Sequence, residues 1–168
     1  LGGADAALNV TYGNGARYNP ATDTWTPMSN LGAPPGRNRA AMAWTGKEMV
    51  IVGGATGKAS STYVNSGARY NPTTDTWSAV NNSGAPSARI YASAVWTGAS
   101  VLFFGGYTGS GYGNDCTSYS PEFGFQTVTS TWLNTYFGSD FGHKPDARES
   151  ADPDLDGFTN VDEFRGNS

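Results

Sequence analysis

The chain has 168 residues, of which only 14% are charged, 13% are aromatic and 23 are glycine. This profile suits short strands joined by many tight turns, and it argues against a coiled coil or a disordered chain. Ten basic residues against fourteen acidic ones give a net charge of −4, with no basic run, so no nucleic-acid partner is expected.

No apolar run approaches the ~18 residues needed for a membrane span, so none is expected. Cys116 is the single cysteine, which rules out an intrachain disulfide or a cysteine zinc site and reads as an incidental thiol. The chain opens on Leu1 rather than Met, and is expected to be a piece of a longer polypeptide.

Near the amino terminus stands a glycine pair, Gly2-Gly3, the first of three such pairs along the chain. The stretch Gly15–Trp25, GARYNPATDTW, returns at Gly67–Trp77 as GARYNPTTDTW, displaced by 52 residues. Laid without a gap, Gly15–Thr56 and Gly67–Thr108 agree at 22 of 42 positions, including Arg37 with Arg89 and Gly53-Gly54 with Gly105-Gly106. A fixed period of this size means stacked supersecondary units, none able to bury its apolar face alone.

Each unit has one grammar. After Arg37 or Arg89 come two apolar runs separated by Thr-Gly, which predict a β-hairpin. The run MVIVGG is continuously apolar, as for a strand covered on both faces, and its Gly-Gly lets the backbone turn and pack closely. A polar loop of variable content comes next, at 55–66 and again at 107–118. Then come a strand carrying Ala-Arg-Tyr, an Asn-Pro-x-Thr-Asp-Thr turn, and a last strand opening on Trp25 or Trp77. Four short strands in each ~50 residues make one blade of a β-propeller.

An Arg, a hairpin ending in Gly-Gly, then Tyr-Asn-Pro-x-Thr-Asp-Thr-Trp resembles the kelch repeat, over about residues 1–121. Gly2-Gly3 stands where Gly54 and Gly106 stand, one residue out of register. Tyr119-Ser120-Pro121 stands where Tyr18-Asn19-Pro20 does, but Glu-Phe-Gly-Phe-Gln replaces the turn and the Trp, which reads as a degenerate end. The resemblance implies a mainly β fold of partial propeller blades over 1–124. Residues 32–84 should form a complete blade, and 84–121 should begin the next. Trp25 and Trp77 should both be buried. A kelch propeller closes with about six or seven blades, on the order of 300 residues. Further blades are expected upstream, or chains must self-associate.

The groups repeated in every unit, among them Gly53, Gly54, Tyr70 and Trp77, read as packing. Function on such a scaffold belongs to the loops that differ, 55–66 and 107–118, whose Gly, Ser, Thr and Tyr content suits a protein or glycan ligand. Some kelch-like propellers are copper oxidases, but a two-imidazole copper site is excluded by a single His143. No Ser/His/Asp or Cys/His set can be assembled from the blades, so no catalytic residue is assigned. The rival reading is the non-catalytic portion of an extracellular hydrolase or oxidase, with its active residues in missing blades.

Composition shifts after Gly124, and 125–168 reads as a second module. Trp132, Leu133, Tyr136 and Phe137 fall on one helical face within 130–138, with Ser130 as a cap and Gly138 as a stop. Residues 152–163, DPDLDGFTNVDE, keep every spacing of the D-x-D-x-D-G-x5-E calcium loop. Calcium takes six to eight hard oxygens. Asp152, Asp154 and Asp156 would supply carboxylates, Phe158 its carbonyl, Asn160 a direct or water-mediated contact, and Glu163 a bidentate closure. The segment resembles the short calcium loops of dockerin modules and thrombospondin type 3 repeats in bacterial surface proteins. That resemblance implies a structural clip suited to extracellular calcium, and so a secreted or cell-surface location.

Overall fold

The computed structural model describes residues 2–5, 10–57 and 62–129. Its strands in chain order are β1 (Ala16–Asn19), β2 (Thr24–Pro27), β3 (Ala41–Trp44), β4 (Met49–Val52), β5 (Ala55–Thr56), β6 (Thr62–Tyr63), β7 (Gly67–Asn71), β8 (Thr76–Ala79), β9 (Ser93–Trp96), β10 (Val101–Phe104), β11 (Cys116–Ser120) and β12 (Gly124–Thr127). They form two four-stranded antiparallel sheets, β3-β4-β7-β8 and β9-β10-β11-β12, with β1-β2 and β5-β6 as two-stranded hairpins. No helix occurs among the described residues. The expected blade within 32–84 is therefore present as a complete four-stranded sheet.

The Thr-Gly signals make the inner hairpins. Thr45 donates its backbone N–H to the carbonyl of Glu48 at 2.9 Å, and its hydroxyl bonds the same carbonyl at 3.0 Å. Thr97 repeats this arrangement on Ser100. The turn then sets a register in which Trp44 faces Met49 and Trp96 faces Val101.

The apolar run in β4 is buried on both faces, as expected. Strand alternation sends Val50 and Val52 one way and Ile51 the other. Val50 and Val52 join Val101, Phe103, Tyr119 and Phe125 in the core between the two four-stranded sheets. Ile51 joins Tyr70, Trp77 and Met28, the last of these from the segment immediately after β2. Each sheet is thus closed on one side by the connection leaving the unit before it.

Two expectations are corrected. Trp77 is buried at 8% exposure, but Trp25 is 67% exposed. The two residues share a local sequence, and differ because no described segment lies over β1-β2 as residues 28–33 lie over β8. The degenerate end also forms its last strand. Phe125 stands opposite Tyr119 with ring centroids 5.0 Å apart, the separation found for Tyr70 and Trp77. The shortened turn works because Gly124, at φ 69°, takes the left-handed place that Asp75 holds at φ 53°.

The compact first unit ends at Val128, because β12 stays paired with β11 through Thr127. The helix expected at 130–138 lies outside the described residues.

Candidate interaction face

The two variable loops leave their sheets between Gly-Gly and the next strand, and a buried arginine fastens each one. The Arg37 guanidinium donates through Nη1 to the carbonyls of Gly53 at 2.9 Å and Ser66 at 2.7 Å, the two ends of the first loop. Arg89 repeats the bond to Gly105 at 2.8 Å, and grips Asp115 through both carboxylate oxygens at 2.7 and 2.8 Å. Burial lowers the Arg37 pKa from its ordinary value, and the carbonyls it bonds satisfy the donors that burial takes from water. The bidentate contact with Arg89 holds the Asp115 carboxyl below its usual range.

Gly53 and Gly54 are confined by contact with the next unit. Gly54 donates its N–H to the Arg89 carbonyl at 2.8 Å. A Cβ on Gly53, whose φ is 73°, would come within 2.9 Å of that same oxygen. The packing role expected for the repeated residues is what the geometry shows at Gly53, Gly54, Tyr70 and Trp77. Tyr70 donates its hydroxyl to Asp75 at 2.5 Å; burial first, then this bond, pushes its pKa up to about 12.

The loops themselves meet. Tyr63, from the first, lies edge-on to Tyr107 of the second at 6.2 Å, and Tyr107 leans on Tyr112 at 5.3 Å. Tyr107 is fixed by reciprocal backbone bonds with Ile90, so the cluster adjoins the approach to β9. There Tyr91 is 63% exposed and Tyr112 85% exposed. The Arg39 guanidinium sits over the Tyr91 ring at 5.5 Å, and the Tyr91 N–H bonds the Arg39 carbonyl at 3.0 Å.

Arg39 and Tyr91 hold equivalent places in the two units and share a backbone state, φ 56° and φ 59°. Such φ values are uncommon for side-chain-bearing residues. Sequence reading missed both. The available signal was that this position recurs between repeated residues while its identity changes from Arg to Tyr.

Chemically, the face offers tyrosine rings on loops tied down by buried arginines, and next to β9 an open Tyr91 ring with the Arg39 guanidinium over it. Tyr and Arg are the side chains that dominate binding energy at protein interfaces, because they give large contact area at low entropic cost. A concavity of about 760 Å³ lies elsewhere, among Ser100, Ser118, Ser120, Phe123 and Gln126 at the β9–β10 turn end of its sheet. It carries no convergent set of charged groups. Among the described residues no cluster of His, Cys, Asp or Glu is arranged for a metal. Cys116 is buried, and burial raises its thiol pKa, the reverse of what a nucleophile needs. The calcium-loop residues Asp152, Asp154, Asp156, Phe158, Asn160 and Glu163 lie outside the described residues. No helix among the described residues is long and apolar enough to cross a membrane.

No curated protein matches the chain at a significant level. A family model described as the KLHDC2/KLHL20/DRC7 Kelch-repeats domain matches residues 1–152. With that match and two blades of the same strand order and turn chemistry, the chain belongs to the kelch-repeat family.

Proposed function

We propose that this chain is a protein-interaction module, and that its docking face is the surface of Tyr63, Tyr91, Tyr107 and Tyr112 with Arg39. The observation that carries the reading is the meeting of two variable loops, 55–66 and 107–118, at one aromatic cluster built from consecutive units. A ligand surface shared by neighbouring blades uses what differs between them, while the repeated Arg37 and Arg89 hold the pose. A protein partner is favoured over a glycan by the Arg39 guanidinium over the open Tyr91 ring, which suits a carboxylate or a planar side chain. The test is partner capture by the intact chain against Tyr112→Ser, Tyr91→Ala and Arg39→Ala variants of unchanged melting temperature. Loss of the same partner in all three supports the face. Retention in all three, with loss on changing Phe123 or Gln126 at the opposite end, removes it.

The segment 152–163 is, on the same proposal, a structural calcium clip of an extracellular or cell-surface protein. Its support is the spacing of Asp152, Asp154, Asp156, Asn160 and Glu163, together with a calcium level outside cells that fills sites of about 10⁻⁴–10⁻³ M.

A further inference from the structure

The two loops of the docking face end at one shared place with different chemistry. Gly53 donates its N–H to the Ser66 carbonyl at 3.1 Å, and Gly105 donates to the Asp115 carbonyl at 3.3 Å. Ser66 and Asp115 therefore hold equivalent positions, each just ahead of the strand that leaves its loop. One step inward, Val64 donates to the Gly54 carbonyl at 3.0 Å and Gly113 to that of Gly106 at 2.8 Å. Tyr63 and Tyr112 match in turn, facing Ala55 and Tyr107. Gapless alignment of the sequence hides these matches, because the second loop is the shorter one.

In the first loop the fastening is neutral. Arg37 gives Nη1 to the Gly53 and Ser66 carbonyls, and Nη2 to the Ser66 hydroxyl at 3.1 Å. None of those oxygens changes charge with pH. In the second loop Arg89 keeps the Gly105 carbonyl but takes both carboxylate oxygens of Asp115. The Arg89 side chain is 6% exposed and that of Asp115 49% exposed, so water reaches the acid and not the base. The return leg of the loop lies directly on this pair. A Cβ on Gly113 would come 2.7 Å from Asp115 Oδ1 and 2.9 Å from Arg89 Nη1. A side chain fits at Val64, but the ion pair leaves room for none at Gly113.

A proton on Asp115 removes the charge, and the oxygen that carries it no longer accepts from the guanidinium. The bidentate ionic grip falls to a single bond to a neutral acid, while the guanidinium stays charged. Among the described residues, the titratable groups set against Asp115 are few. They are Arg89, from the approach to β9, and the neighbouring Cys116 thiol of β11, which burial holds in its neutral form. The loop itself adds the phenols of Tyr107 and Tyr112. The carboxylate is the group that takes up the proton in acid.

We infer that Asp115 is an acid-released latch on the docking face: its protonation loosens residues 106–115 and unfixes Tyr107 and Tyr112, while the neutral fastening at Ser66 keeps Tyr63 in place. The inference rests on the reading of these tyrosines as the docking face, and it makes capture there self-releasing in acid. Arg89 holds the Asp115 carboxyl below its ordinary value. The latch is therefore closed above about pH 4 and opens as pH falls through the lower folded value. Tyr112 and Tyr107 respond first, because each adjoins a glycine of the Gly113–Gly106 bond that lies over the pair.

Hydrogen exchange of the 168-residue chain, read by mass spectrometry from pH 7 to pH 3, tests the latch. Rates are taken relative to unstructured amides at each pH, and β10 serves as the reference for an intact fold. Residues 106–115 should lose protection several-fold below about pH 4, while 62–66 keep theirs. Asp115→Asn should show the loosened loop already at pH 7, with no further change in acid. Asp115→Ser, which supplies the neutral fastening of Ser66, should also be indifferent to acid. Equal loss of protection in both loops overturns the inference. So does an unchanged loop in Asp115→Asn, and so does an acid response that survives in that variant. If acid unfolds the whole parent chain, the comparison of parent and Asp115→Asn at pH 7 decides alone. A tyrosine face that binds no partner would leave these rates as expected, so failure of the docking reading is distinct from failure of the latch.

Discussion

Trp77→Ala and Trp25→Ala remove the same side chain from the same local sequence, so the difference between them measures the cover that residues 28–33 lay over β8. A tryptophan offers up to about 250 Å² of surface, and Trp77 keeps 8% of its exposure. At ~25 cal/mol per Å² its burial is worth at most about 5–6 kcal/mol. The alanine left behind retains part of that, while the Ser29 carbonyl, which accepts the Trp77 indole N–H at 2.8 Å, loses its donor, a loss of about 1 kcal/mol. The expected cost is about 3–5 kcal/mol, the usual range for a buried large aromatic. Trp25 is 67% exposed, so the same arithmetic leaves about 2 kcal/mol as a ceiling.

Urea and thermal denaturation of the 168-residue chain, monitored by far-UV circular dichroism, read both values. The Trp77 variant should melt at least about 9 °C below the parent, taking roughly 3 °C per kcal/mol for a unit of this size. The Trp25 variant should stay within a few degrees. Equal losses would refute the reasoning, because they would mean that the Tyr–Trp hairpin is stabilised locally and the covering linker contributes nothing.

Phe125→Ala should cost about 3–5 kcal/mol by the same measurement, since Phe125 is buried in the core between the two sheets; a loss under about 1 kcal/mol would return β12 to a frayed end. The Asp115 carboxyl is held below its ordinary value by Arg89, so its contribution is full above the unfolded pKa and is lost as pH falls through the folded one. Stability should therefore decline below about pH 4, and Asp115→Asn should flatten that decline modestly, because the carboxylate is half exposed to solvent. An unchanged acid profile in the variant would deny the ion pair its role. Calorimetric titration of the intact chain with calcium should give a saturable heat, absent in Asp156→Ala and Glu163→Gln. Saturation should stabilise the carboxyl-terminal module by about 2.7 kcal/mol at a hundredfold excess over Kd, and no heat in the parent would remove the clip.

What the sequence made legible was the local part of each blade. Thr45-Gly46 and Thr97-Gly98 announce turns, MVIV announces a doubly covered strand, and all three readings hold because their cause lies within a few residues. Burial of the tryptophans was legible only in half, since Trp25 and Trp77 differ by a neighbour supplied from about fifty residues away. β12 was missed because the expected Asp and Trp are replaced by Gly124 and Phe125. The physical demand is only a left-handed residue and, soon after it, a large ring. The meeting of Tyr63 with Tyr107 depends on how two sheets pack, and spacing along the chain does not encode it.

The same contrast explains how a repeat can carry specificity without losing its fold. Arg37 and Arg89 are the same residue doing the same work, closing a loop on a Gly-Gly carbonyl. Two residues later the backbone state is again the same, but Arg39 is replaced by Tyr91. The energy that holds the chain in that left-handed state comes from the surroundings, including the Tyr91 N–H bond to the Arg39 carbonyl, so the side chain is free to vary. A position held in an uncommon backbone state by its neighbours and still reached by solvent presents whatever residue it carries in a fixed pose. Exchanging Arg39 and Tyr91 should therefore change recognition far more than stability, whereas exchanging Arg37 for any other residue should do the reverse.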